Sequence, residues 1–218
     1  MLKEIKYLIQ KDILLEWRKQ HVISGTILYV FTTVFVSYLS FVNIDNKIVW
    51  NALFWIIVIF SATNAATKSF FEEEKDNKLF SYIIASPQSI IVSKIIYNQL
   101  FIIVLTALTY LVYSLLNDNP VENQLYFFIA IILSAGGIAS AMTMIAAISS
   151  AADNNSSMIA ILGFPIVMPL LITAIKFSKS AIDGFGWDIN NKYILILLSL
   201  NVIIVVLSYL LFPYLWRD

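Results

Sequence analysis

Six stretches of this chain are apolar for roughly 18–27 residues each, enough for a helix rising about 1.5 Å per residue to cross about 30 Å of hydrocarbon. They cover residues 22–42, 48–67, 90–116, 125–148, 158–175 and 193–212. Within each stretch the apolar residues are continuous rather than alternating, and a backbone in lipid must satisfy its own hydrogen bonds. The pattern therefore predicts helices and not a barrel. The expected fold is all-α, a polytopic membrane protein with six transmembrane helices, and no internal repeat or low-complexity linker divides residues 1–218 into more than one domain.

Two segments interrupt this pattern. In the first 20 residues Leu2, Ile5, Ile9, Ile13 and Trp17 recur at spacings of three or four among lysines and glutamates. That spacing predicts an amphipathic helix along the membrane interface, with a solvated leader helix as the alternative. The apolar run that follows is too long for a signal-peptide core and lacks a small-residue cleavage site, so the first span is expected to remain in the mature protein.

The second interruption is sharper, because six of the seven residues from Glu72 to Lys78 are charged. At the bilayer centre each would cost about 2.5–3.5 kcal/mol, so the segment belongs in water. Glu72, Glu73 and Glu74, with Asp76 behind them, sit where the start of a short helix favours negative charge. Leu79, Tyr82, Ile83 and Ser86 then share one helical face, and Pro87 ends the helix before the next span. Such a helix serves either as a docking surface for a soluble partner or as a solvated loop that enforces topology. The residues alone leave both readings open.

Lysine and arginine bias sets the expected orientation. With the N-terminus inside, the inner face carries Lys3, Lys6, Lys11, Arg18, Lys19, Lys68, Lys75, Lys78, Lys94 and Arg217, against Lys47, Lys176, Lys179 and Lys192 outside. Both termini are therefore expected in the cytoplasm. The 176–192 loop, with three lysines on the outer face, runs against that bias.

Composition agrees: 60% hydrophobic and 13% charged residues, with a mean hydropathy of +0.82, exceed what a globular surface carries. A net charge of zero gives no reason to expect a nucleic acid partner, and the absence of cysteine removes disulfides and thiolate metal sites. No Gly-x-x-x-x-Gly-Lys-Ser/Thr cradle, His-Glu-x-x-His pattern or Gly-x-Ser-x-Gly elbow occurs, so no catalytic residue and no metal site is expected, and any nucleotide chemistry must come from a partner.

Within the spans, Gly136, Gly137, Ser140 and Ala141 are small residues that let helices approach closely, inside this chain or against another. Pro165 and Pro169, one turn apart, are expected to kink the fifth span, as a moving hinge or a static bend. Thr63, Asn64 and Thr67 in the second span and Asn98 and Gln99 in the third are candidates for a polar interface. Lys68 and Lys94 are expected to snorkel outward.

The run from Glu74 to Pro87, with the return into the membrane at Ile90–Lys94, resembles the cytoplasmic loop of the CcmB family, the membrane subunit of the ABC-type haem exporter of cytochrome c maturation. Gly163-Phe-Pro-Ile-Val-Met-Pro-Leu-Leu-Ile172 resembles that family's doubly proline-marked helix. Length, six spans and cytoplasmic termini agree with it across the whole chain. Where the family commonly has Asp-Gly this chain has Asp76-Asn77, and asparagine is the next most tolerant residue of a left-handed turn.

The resemblance implies a non-catalytic permease subunit in a bacterial inner membrane. Its segment 71–87 would be moved by a CcmA-like ATPase that binds ATP. A CcmC-like haem-handling subunit, a CcmD-like small membrane subunit and a second permease copy are the other implied partners, with haem as cargo of the complex. Own haem ligands are scarce: His21 is the sole histidine, leaving Met142, Met144, Met158 and Met168. No cofactor is therefore assigned to this chain, and release of a haem-loaded chaperone is favoured over direct transport. The alternatives are another ABC-2 type exporter for lipid, drug or polysaccharide, and a non-transporting scaffold.

Overall fold

The computed structural model describes residues 2–18, 20–41, 44, 46–151 and 156–215, with backbone only at 2, 16–18, 20–23, 66–84, 151, 156–160 and 215. The described residues form seven helices: α1 (Leu2–Arg18), α2 (Gln20–Ser40), α3 (Lys47–Ile84), α4 (Pro87–Leu116), α5 (Gln124–Ala151), α6 (Ser156–Ile182) and α7 (Trp187–Leu215). Among the described side chains five helices are long and apolar enough to cross a membrane, and those of α2 that are described, Ser24–Ser40, form an apolar stretch as well. The chain is thus an all-helical polytopic membrane protein.

Helix α5 is the axis around which the others pack. Its apolar stretch is 78% buried against 17% for that of α7, so one is core and the other faces lipid. Small residues allow this: Ser134, Ala135, Ala139, Ser140 and Ala141 are fully buried, and α3, α4, α6 and α7 all contact α5.

The bundle has two unlike ends. At one, called the cap, Trp50 and Phe54 of α3 meet Tyr110 and Tyr113 of α4 and Phe127 of α5, with ring centroids 4.8 Å apart for Trp50–Tyr113 and 5.6 Å for Phe54–Phe127. Trp50 Nε1 donates to the Asn117 carbonyl (3.0 Å), and the Tyr113 hydroxyl donates to the Trp50 carbonyl (3.1 Å). Trp55 Nε1 donates to Ser178 Oγ (2.7 Å), whose proton is shared between Asn51 Oδ1 and the Ala174 carbonyl. Asn51 Nδ2 donates to the Ile175 carbonyl (2.9 Å), so α3 is tied to α4 and α6 by buried polar groups that all find partners.

Three connections close over this end. Lys47 Nζ meets Glu122 Oε1 at 2.7 Å, and Asn123 N donates to the Ala181 carbonyl (3.0 Å). Gly184, with φ +75°, ends α6 in the left-handed turn that glycine supplies without strain. A Cβ there would lie 2.5 Å from Glu122 Oε2. Gly184→Ala is therefore expected to destabilise the protein by roughly 1–3 kcal/mol. Gly136→Ala, whose Cβ would meet nothing closer than 3.8 Å, is expected to be near neutral. Thermal unfolding of the two variants in detergent separates them.

Two expected boundaries are corrected. The charged segment is not a separate short helix: α3 runs unbroken through it to Ile84, so Glu72, Glu73 and Glu74 lie in mid-helix rather than at an N-terminus. No glycine or proline interrupts 66–84, and glutamates and lysines favour helix, so nothing stops α3 before Ser86-Pro87. Likewise α6 continues to Ile182, which places Lys176 and Lys179 on its last turns and reduces the expected 176–192 loop to 183–186. The stop signal is Asp183-Gly184.

Candidate functional site

At the other end of the bundle, α3 leaves the membrane. Among the described side chains its apolar stretch runs from Lys47 to Ala65, and Glu72 to Lys78 stand about 10–20 Å of helical rise beyond that residue. The side chains of Glu72, Glu73, Glu74, Asp76, Leu79, Tyr82 and Ile83 lie outside the described residues, while their backbone continues the helix of the second span. The chain then turns at Ala85–Ser86, an elbow, and Pro87 opens α4 at the first-turn position where its missing N–H costs nothing.

The elbow is held by a group that the apolar pattern did not reveal. Glu4 of α1 accepts a hydrogen bond from Ser89 Oγ (2.9 Å) and a longer one from Ser86 Oγ (3.4 Å), and the two serine hydroxyls lie 2.8 Å apart. The carboxylate thus sits at the start of α4, where the helix dipole favours negative charge. The Ser89 hydroxyl, ahead of other causes, holds the Glu4 carboxyl below its usual range. Ile5 is buried at 7% exposure, and Leu8 packs on the cluster of Ile90, Ile91, Ile95 and Phe212. Helix α1 therefore docks on α4 as well as presenting Tyr7, Ile13 and Leu14 outward.

A group with a depressed pKa stabilises the fold above its unfolded pKa and loses that contribution as pH falls through the folded one. The α1–α4 contact is accordingly expected to hold at neutral pH and loosen in acid, below the ordinary carboxylate range. Glu4→Gln should remove that dependence. Proteolysis of α1 as a function of pH, in wild type and variant, measures it.

Lys94 does not snorkel as expected; it is 9% exposed, because α1 and the end of α7 cover this part of α4. Lys68 and Thr67 have side chains outside the described residues. The polar residues of the third span bond to a neighbouring helix. Asn98 Nδ2 donates to Thr143 Oγ1 (2.9 Å) and Gln99 Nε2 to Ser140 Oγ (2.8 Å), both on α5, while Thr63 bonds to its own helix at Ile59. Spacing along α3 and α4 does not reveal that α5 lies beside them.

The small residues of α5 are all buried. A Cβ on Gly137 would fall 2.8 Å from Leu170 and 3.1 Å from Asn201 Nδ2, so α6 and α7 close directly on it. Gly136 faces Gln99, Ile103 and Asn201 at 3.8–4.0 Å. Pro165 and Pro169 lie inside α6, exposed on its outer side, and the helix continues through both. Their missing amides leave the carbonyls of Ile161 and Pro165 without the usual helical donor.

Of the methionines, Met142 and Met144 are buried and Met168 is half-buried; the side chains of Met158 and His21 lie outside the described residues. Among the described residues no group of three His, Cys, Asp or Glu side chains comes together. What the geometry offers is mechanical: a long helix anchored at the cap, projecting past the membrane and tied at its elbow to α1 and α4.

Among curated proteins, none matches this chain. A protein family does, over residues 3–214, and its description is CcmB protein. The chain therefore belongs to the CcmB family, the non-catalytic permease subunit of the ABC-type haem exporter of cytochrome c maturation.

Proposed function

We propose that the projecting part of α3, with the elbow at Ala85–Pro87, is the handle through which a CcmA-like ATPase drives this subunit. The unbroken course of α3 carries the reading: one helix reaches from the buried Trp50 at the cap to Ile84, so displacement of its projecting end turns the whole span. Glu72, Glu73, Glu74, Asp76, Leu79, Tyr82 and Ile83 would form the surface gripped, and Ser86 and Pro87 the joint that passes motion to α4. Pro165 and Pro169 would let α6 follow, and Pro165→Ala with Pro169→Ala is expected to keep assembly while lowering c-type cytochrome yield several-fold in haem-stained membranes.

The handle must then be cytoplasmic, with both termini on that side of a bacterial inner membrane. ATP binds the partner. Haem stays mainly with a CcmC-like subunit, accompanied by a CcmD-like one, since this chain offers few ligands of its own. The work done is release of a haem-loaded chaperone rather than passage of haem through this bundle.

Orientation is the test. The chain has no cysteine, so Lys75→Cys is a unique label site. A membrane-impermeant maleimide is expected to react only in inverted vesicles, and the tagged chain is expected to bring down an ATPase. Reaction in intact cells would rule out the handle.

A further inference from the structure

We propose that a notch at mid-depth, formed by Gln99, Asn201 and Gly136, docks a transmembrane helix of another membrane subunit, one that brings a hydrogen-bond donor to the centre of the bilayer. The proposal rests on the family reading only in placing the chain within a multi-subunit complex.

The three residues stand near the midpoints of α4, α7 and α5. Gln99 Nε2 donates to Ser140 Oγ (2.8 Å), and Asn201 Nδ2 donates to the carbonyls of Leu133 (3.0 Å) and Leu197 (2.8 Å). Their donors are engaged. Gln99 Oε1 and Asn201 Oδ1 accept no hydrogen bond among the described residues, and both side chains are only half-buried. Asn201 Oδ1 stands 3.8 Å from the Cβ position of Gly136, beside Gln99, and two unmet acceptors at mid-depth carry a free-energy cost that a donor from a neighbour removes. Gly136 lies between the two amides, and the 3.8–4.0 Å around its Cβ position shows that packing inside this chain does not demand a glycine there.

A groove leads into the notch. Towards the elbow, α4 and α7 close on each other through Ile90, Ile91, Ile95 and Phe212. Towards the cap they part. Helix α4 swings around α5 from Ser140 and Thr143 to Phe127 and Phe128, where Tyr110 packs with centroids 4.9 and 5.4 Å away. Helix α7 turns instead to α6, through Tyr193 and Phe177 at 6.1 Å. Between them Leu125 and Ile132 of α5 are 64% and 49% exposed, and Leu198 of α7 is 44% exposed.

Apolar walls ending in acceptors suit one kind of occupant, an apolar helix with a serine, threonine or asparagine at mid-depth. A second copy fits poorly. The exposed hydroxyl this chain has nearby, Ser199, is two residues and so about 200° from Asn201 around α7. A two-fold interface needs donor and acceptor on one self-complementary patch, and these lie on opposite sides of the helix.

The test uses the assembled complex in native membranes. Ile132→Cys, labelled with a benzophenone maleimide and irradiated, is expected to give an adduct with a different membrane subunit. Ile203→Cys, on the far side of α7, is expected to give none. Adding Gln99→Leu and Asn201→Leu should lower the adduct about tenfold while the ATPase still co-purifies. An adduct with a second copy, an undiminished adduct in the triple variant, or no protein adduct in an assembled complex would each overturn the proposal. The Ile132→Cys result decides even if the triple variant fails to assemble, because that chain keeps both acceptors. Absence of any co-purifying subunit would instead refute the family's complex for this chain, and the docking site with it.

Discussion

Aspartate at both Leu79 and Ile83 is expected to separate the chain from its ATPase and to abolish c-type cytochrome formation, while leaving the membrane bundle intact. The two positions are one helical turn apart, so they share a side of α3. They stand about 21 and 27 Å of helical rise beyond Ala65, outside the hydrocarbon, where a carboxylate costs the bundle little. At an interface the effect is different. Central apolar side chains there are each worth about 2 kcal/mol or more, so losing both and burying charge should weaken binding at least about a hundredfold. Co-purification of the ATPase and haem staining of membranes report the two losses, and unfolding of the isolated chain reports the unchanged bundle. Retention of the ATPase at wild-type levels would show that this part of α3 is not the handle.

How much of this was legible follows from what each feature depends on. The spans depend on local apolarity, so the helices and the membrane class could be read directly. A run of charge reads like a break in α3, whereas a helix is broken by backbone chemistry, and none intervenes before Pro87. In α6 likewise Lys176 and Lys179 mark the water-facing end of the helix rather than a loop. Contacts between distant segments were not legible at all. Glu4 meets Ser89 across 85 positions, and Gln99 meets Ser140 across 41, with nothing in either neighbourhood to announce the partner. The small residues of α5 announced close packing but not which helices would close on them.

Trp50 carries the second large expectation, because a lever needs a fixed end. Its side chain is fully buried among Phe54, Tyr113 and Phe127, and its indole donates to the Asn117 carbonyl. Trp50→Ala leaves a cavity and an unpaired carbonyl, and is expected to cost about 3–5 kcal/mol. Trp50→Phe keeps most of the volume and loses the hydrogen bond, at about 1–3 kcal/mol. Unfolding in detergent orders the two variants, and near-equal losses would mean that the hydrogen bond, not the packing, holds the cap. The functional consequence follows from geometry. A helix anchored at one end converts a push at the other into rotation, whereas one free at both ends slides. Trp50→Ala in a complex that still retains its ATPase should therefore hydrolyse ATP while making little c-type cytochrome. Normal yield from a chain so destabilised would mean that the cap is structural ballast and that α3 is steered from the elbow alone.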